Sequence, residues 1–242
     1  MESAAGTQQQ QPIDSFITYD FSSGKAASSN VWEGSGLVHG WGHSGGINYV
    51  PYFGNRGVLI NVGGHLDLRE DNDGLVDFQT VQVYDIDNQR WFEQQTTGDI
   101  PQPRKEFCIA GALSSQHTYE ILIYAGWDGH FGPAAKLYDS AFVLTLPGFY
   151  WVKVDYPPKH PRHGLTCNAV GGGQILVIGG LDSTQQQDGV DGSSTAGFNT
   201  QDPFTQGLAI FYLSGLTWSS TYSAKQSLQP PAAKIQHYYT IQ

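Results

Sequence analysis

Three short apolar runs, each ending in a pair of small residues, decide how this chain folds: VLINVGG (58–64), ILIYAG (121–126) and ILVIGG (175–180). A polar loop follows each one, then a second apolar run: TVQVYDI (80–86), SAFVLTL (140–146) and GLAIFYL (207–213). A tryptophan comes next at a constant offset, with Tyr84 to Trp91, Leu144 to Trp151 and Phe211 to Trp218 each seven residues apart. Upstream of each small pair lies one more run: GGINYVPY (45–52), EFCIAGAL (106–113) and GLTCNAVG (164–171). Each unit therefore holds four runs of strand length, bounded by Gly, Pro and Asn, which read as four β-strands. Repetition with a period of this size marks an array of equivalent supersecondary units.

The ends are less regular. FITYDF (16–21) matches VQVYDI and reads as a third strand without its first two. Its tryptophan offset lands on Ala26, with Trp32 as a substitute after a longer turn. At the other end, KIQHYYTIQ (234–242) reads as one more strand, placed to pair with the N-terminal piece. Residues 1–12 form a polar tail, and 13–242 read as one domain.

Composition agrees. Of 242 residues, 14% are charged, 13% are aromatic and 30 are glycine. A helical bundle needs more Ala, Glu, Lys and Leu, and a disordered chain would not carry so many large apolar groups. Twelve basic residues against 22 acidic give a net charge of −10, with no basic cluster to neutralise phosphates, so a nucleic-acid partner is not expected. No run approaches the roughly 18 apolar residues of a membrane span. The opening MESAAGTQQQQP has no apolar core of a signal peptide, and no N-x-S/T acceptor occurs. Cys108 and Cys167 fall at similar places in repeated first strands, which reads as packing rather than as a disulfide framework or a nucleophile. A reducing cytoplasm is the expected location.

The Gly pair after the second strand, Tyr-Asp in the third and Trp in the fourth resemble the kelch family of β-propellers. TYDFSSG, GDIPQPRKEFC and the surroundings of Trp91 look most like fungal kelch-repeat proteins, and the likeness covers about residues 13–222. The resemblance implies an all-β, kelch-type propeller of about four blades, each a four-stranded antiparallel sheet. Fungal relatives of this type commonly carry a signal peptide, further blades and a C-terminal membrane helix, so this chain reads as a shortened form. Three and a half units fall short of the roughly 4–8 blades of known propellers. The ring is therefore expected to be closed by the terminal strands, or completed by a partner chain as a homodimer.

In an up-and-down meander, the end of the second strand and the start of the first lie on the same face. His65, Asp67 and Arg69, then Trp127, Asp128, His130 and Phe131, then Leu181 and Asp182 follow the small pairs. His39, Trp41 and His43, then Arg104 and Lys105, then Arg162 and His163 precede the first strands. Topology alone thus gathers five of eight histidines and four of twelve basic residues on one loop face, where a rigid scaffold commonly carries function. His65, Arg104, His130 and His163 are the candidate catalytic groups. His39, Trp41, His43, Asp67, Trp127, Asp128, Phe131, Arg162 and Asp182 are the candidate substrate contacts. Arg104 and Arg162 each follow a proline and have a plain structural reading too, bonding backbone carbonyls between blades.

Cofactor motifs are missing. DNDG (71–74) looks like the head of a calcium loop, but its twelfth position is Gln82 rather than Glu. His39 and His43 are four apart in a Gly-rich segment, not on a helix, so no zinc motif applies. There is no G-x-S-x-G, P-loop or strand-linked GxGxxG. No metal or cofactor is expected. A mouth rich in Trp, Phe, Tyr and His suits an apolar or aromatic small molecule. Its expected chemistry is a cofactor-free cyclisation, Diels-Alder-type cycloaddition or isomerisation in fungal secondary metabolism. The other reading is a kelch protein-interaction module without catalysis.

Overall fold

The computed structural model describes residues 16–29, 44–66, 74–130, 136, 138–156, 161–182, 202 and 204–241. Three antiparallel meanders account for most of them. Blade 1 is β3 (Gly46–Val50), β4 (Val58–Val62), β5 (Thr80–Asp85) and β6 (Arg90–Gln95). Blade 2 is β8 (Cys108–Leu113), β9 (Tyr119–Tyr124), β10 (Ala141–Leu146) and β11 (Tyr150–Lys153). Blade 3 is β12 (Thr166–Ala169), β13 (Gln174–Ile178), β14 (Leu208–Tyr212) and β15 (Thr217–Ser219). The chain leaving blade 1 adds β7 (Thr97–Gly98) in parallel to the outer edge of blade 2, which ties the two blades together.

The seven-residue offset is the register of the outer hairpin. Tyr84 faces Trp91, Leu144 faces Trp151 and Phe211 faces Trp218 as cross-strand partners. Each tryptophan therefore shares a sheet face with an apolar partner, where such pairs contribute most. In the same register, Tyr19 faces Ala26 in the hairpin of β1 (Phe16–Asp20) and β2 (Lys25–Ser29), so alanine takes the tryptophan's place there. Trp32 lies outside the described residues.

The blades pack face to face. Ile60, Val62 and Val81 of blade 1 meet Ile121, Leu144 and Trp151 of blade 2 in one buried cluster. Leu122, Tyr124 and Val143, on the opposite face of blade 2, meet Ile175, Val177 and Phe211 of blade 3 in another. The first strands lie innermost, with β3 and β12 each packed on β8.

Two sequence expectations change here. Cys108 and Cys167 form a disulfide with Cα atoms 5.2 Å apart. The strand pairings explain it. Cys108 stands opposite Tyr124, just before one small pair, whereas Thr166 stands opposite Ile178, just before the other. Cys167 is thus one residue out of step with Cys108. One step along a strand turns a side chain to the other face, so the two sulfurs point at each other across the blade interface. The expectation of a reducing compartment rested in part on the absence of a disulfide, and the bridge removes that part of the argument.

The C-terminal segment is also not a strand. It forms helix α1 (Ala233–Thr240), immediately after Pro230 and Pro231. Buried Ala232 and Ile235 and half-buried Tyr239 follow a helical spacing, and this apolar stripe decides the conformation. Tyr238 stacks on Tyr150 at 4.2 Å, and the Tyr239 hydroxyl accepts the Gly148 N–H at 3.0 Å, which seats the helix on the β10–β11 turn. Ring closure by pairing of the two terminal strands is therefore not what the chain does. Among the described residues, β1 and β2 pair only with each other.

Candidate functional site

The loop face is assembled by a repeated backbone device. Gly63–Gly64, Ala125–Gly126 and Gly179–Gly180 place two successive residues in the left-handed region. This doublet swings the chain back over its own blade. Lys105 and Trp127 then exchange backbone hydrogen bonds of 2.9 and 2.8 Å, and His163 and Leu181 exchange bonds of 3.0 and 2.9 Å. The segments before the first strand and after the second are thus held side by side. Neighbouring blades are stitched in the same place: Gly64 N–H donates to the Arg104 carbonyl at 3.1 Å, and Gly126 N–H to that of Arg162 at 2.8 Å. A Cβ on Gly126 would lie 3.1 Å from both the Lys105 carbonyl and the Arg104 side chain, so the close approach needs glycine.

The arginines face inward. Arg104 is 2% exposed; its guanidinium donates to the carbonyls of Gln102 and Ala125 at 3.1 and 3.0 Å and lies 4.2 Å from the Tyr138 ring. Burial lowers its pKa to about 10, which leaves it charged at neutral pH. Arg162 is equally buried, donating to the Gly180 carbonyl at 2.7 Å and pairing with Asp202 at 3.2 Å. Each therefore bonds carbonyls of its own blade's small pair, and it is the backbone rather than the side chain that crosses between blades. His65 is buried as well, its ring against Gly74.

A different set is gathered at the surface of blade 2. Asp128 is buried, with a side-chain exposure of 2%, while His130 is 47% exposed. Asp128 Oδ2 lies 3.1 Å from His130 Nδ1, and Oδ1 accepts the His130 backbone N–H at 3.1 Å. The contact sets a buried carboxylate beside the imidazole, though Asp128 Oδ2 makes no hydrogen bond. Trp127 closes this short turn by donating its indole N–H to the His130 carbonyl at 2.5 Å. The Lys105 ammonium lies 4.6 Å from the Trp127 ring centre, and the His163 imidazole stacks on that ring at 5.2 Å and 23°. Burial pulls the His163 pKa down to about 4, so that ring is neutral at pH 7. Glu106 sits 3.9 Å from His163 Nε2, and the charge of Asp182 acts on the same imidazole.

Trp127, Asp128, His130, His163 and Asp182 thus come together with Lys105, but Asp128 and His163 are as buried as Arg104, Arg162 and His65, and His130 is the exposed member of the set. His39, Trp41, His43, Asp67, Arg69 and Phe131 lie outside the described residues. Among the described residues, no three His, Cys, Asp or Glu side chains converge to hold a metal, and no helix is long and apolar enough to cross a membrane.

No protein-family model matches the chain. A fungal "Kelch repeat-containing protein" of Arthroderma benhamiae is 27% identical over 187 residues, covering 74% of this chain and 24% of that protein. The solved structure of YjhT, a kelch-type propeller, superposes with a TM-score of 0.54 at 11% identity, covering 88% of this chain and 60% of that one. The chain has the fold of a kelch-type β-propeller. It spans about a quarter of the length of the fungal relative, so the likeness carries the fold and not the relative's activity.

On the propeller's opposite face lies a residue that the sequence reading passed over. Glu120 opens β9 and is 2% exposed, in a small cleft lined by Leu113, Ser114, Leu213, Gln229 and Pro230. Thr145 donates to its carboxyl at 3.2 Å, and burial raises its pKa to about 7. The available signal was YEILIY (119–124), a carboxylate at the head of a wholly apolar strand. A carboxyl whose pKa is raised on folding stabilises the fold fully below its ordinary pKa, and that contribution is lost as pH rises through the folded value. Stability is therefore expected to fall by about 1.4 kcal/mol per pH unit between roughly pH 4.5 and 7 through this group alone. Urea midpoints measured across that window in Glu120→Gln are expected to lack this component, and equal slopes in both proteins would refute the assignment.

Proposed function

We propose that the loop face binds an apolar or aromatic small molecule and acts on it as a cofactor-free cyclase or isomerase, including the Diels-Alder type, in fungal natural-product biosynthesis. The observation that carries the reading is the pairing of buried Asp128 with exposed His130 beside Trp127. An imidazole beside a carboxylate can serve as a proton acceptor, and the nearby negative charge stabilises the imidazolium that results. The Lys105 ammonium stands against Trp127 on the same face, where a cation can steady negative charge developing on a carbonyl or phenolic oxygen. A planar ligand ordered against these rings would bring its reacting atoms together, which is much of what such a cyclisation requires.

The test is to incubate the protein with extracts or biosynthetic intermediates of its source organism and follow consumed and newly eluting species by mass spectrometry. Given an activity, His130→Ala is expected to lower turnover by about 10²–10⁴-fold, the usual worth of a positioned acid–base group. Its melting temperature should stay close to that of the parent, because the ring is half exposed. Turnover that survives this substitution would remove the proton-transfer role. A protein that binds and converts nothing in such mixtures would instead favour the kelch interaction module.

A further inference from the structure

We propose that the cleft at Glu120, on the face opposite the loop face, binds the ammonium group of a small primary amine. The direction of the hydroxyl protons carries the first half of the case. The Ser114 hydroxyl oxygen accepts the backbone N–H groups of Gln116 and Thr118 at 3.1 and 3.3 Å, so its own proton goes to Thr118 Oγ1, 2.8 Å away. Thr118 in turn donates to the Glu120 carboxyl. A second relay arrives from the C-terminal helix. The Tyr239 hydroxyl accepts the Gly148 N–H at 3.0 Å, so its proton goes to Thr145 Oγ1 at 3.2 Å. Thr145 then donates to Glu120 Oε1 at 3.2 Å. A hydroxyl has one proton to give, and a backbone N–H only donates. Both relays start at backbone N–H groups, and both end on the same carboxyl. The surroundings are thus arranged for a carboxylate that accepts, not for a carboxylic acid that must donate.

A carboxylate held this way calls for a counter-charge, because buried charges are as a rule paired. Glu120 is 2% exposed, and among the described residues the ion pairs all lie elsewhere. Burial, with no neighbouring cation to oppose it, is what raises the Glu120 pKa. The cleft has room for a cation. It encloses about 220 Å³, open solvent included, between blades 2 and 3 and the strap that leads into α1. Leu113, Leu213, Pro230 and Pro231 give it apolar walls, and Ser214 and Gln229 bring further oxygens to the lining. A primary ammonium has three N–H donors. One meets the carboxylate, the others have these oxygens, and a short aliphatic chain lies along the leucines and prolines. Glu120 and the net charge of −10 both disfavour an anion. A bound metal would need more ligands than Glu120, and no three His, Cys, Asp or Glu side chains converge among the described residues.

The experiment is a titration of the full chain with n-butylammonium chloride at about pH 8, read by melting temperature and by ligand-observed NMR saturation transfer. Sodium chloride, tetramethylammonium chloride and n-butanol at matched concentrations are the controls. Butylammonium is expected to raise the melting temperature and to show saturation transfer, and the controls are not. Its apparent affinity should be about 30-fold weaker at about pH 5.5 than at about pH 8, because the carboxyl titrates near 7. Glu120→Gln should abolish the binding, with circular dichroism showing that the variant is folded. Should that variant not fold, the wild-type controls and the pH ratio decide. No butylammonium binding overturns the proposal. An equal response to n-butanol overturns it too, since the charge is then not what is recognised, and so does an equal response to sodium or tetramethylammonium, since the N–H donors are then idle. Affinity indifferent to pH, or undiminished in folded Glu120→Gln, removes Glu120 as the partner and overturns it as well.

Discussion

Replacing Trp151 by alanine is expected to destabilise the propeller by about 3–5 kcal/mol, the range for removing a large aromatic side chain from a core. Trp151 is fully buried. It shares its sheet face with Leu144 and stands edge-on to Phe78 of blade 1 at 5.8 Å. Its indole N–H donates to the Phe78 carbonyl at 3.3 Å, so the substitution removes a buried hydrogen bond along with the ring. Its own backbone also pairs with Gly98 of β7, which brings the substitution to the seam between two blades. Chemical unfolding followed by circular dichroism measures the loss. Trp218 holds the same register in blade 3 but is only half-buried, and its replacement should cost less. Equal and small losses at both positions, below about 1 kcal/mol, would refute the assignment of Trp151 as a seam residue.

Replacing Cys108 by serine, or reducing the protein, should lower stability by about 4 kcal/mol in the loop-entropy account of a cross-link. The bridge closes a separation of 59 residues and joins the innermost strands of blades 2 and 3. Serine is close in size to cysteine, so the substitution leaves the core nearly filled and isolates the cross-link. The measurement is the denaturation midpoint with and without reductant, beside an intact-mass determination of the thiol state. Wild type should lose stability on reduction and Cys108→Ser should not respond. A wild type indifferent to reductant, with two titratable thiols, would remove the bridge. A bond of this kind persists in oxidising surroundings, which makes the thiol state of the protein from its own organism worth measuring.

The candidate site was legible in part. Strand alternation alone placed Trp127, Asp128, His130, His163 and Asp182 on one face, because that deduction needs only the order and direction of strands. It did not separate the roles of these residues. Arg104, His65 and His163 read as reactive groups in the sequence, yet the fold buries all three. The Asp128–His130 pair stands two residues apart, a spacing that carries no meaning until the turn after Gly126 brings the carboxylate back onto the imidazole. Glu120 was missed for a related reason: its altered protonation comes from burial by Leu213 and Gln229, which are remote in sequence.

The sequence by itself determined the repeat, the four-strand unit and the outer-hairpin register, because these rest on local periodicity. The seven residues from Leu144 to Trp151 fix a turn and a pair of facing side chains whatever surrounds them. Only the tertiary structure decided the disulfide and the C-terminal helix. A shift of one residue between equivalent strands turns Cys167 toward Cys108, but the two meet only once blades 2 and 3 are face to face. The segment after Pro231 has the apolar content of a strand, and its seat on the β10–β11 turn favours a helix. Periodicity states which way a side chain points within its own blade. What it meets there depends on the neighbouring blade.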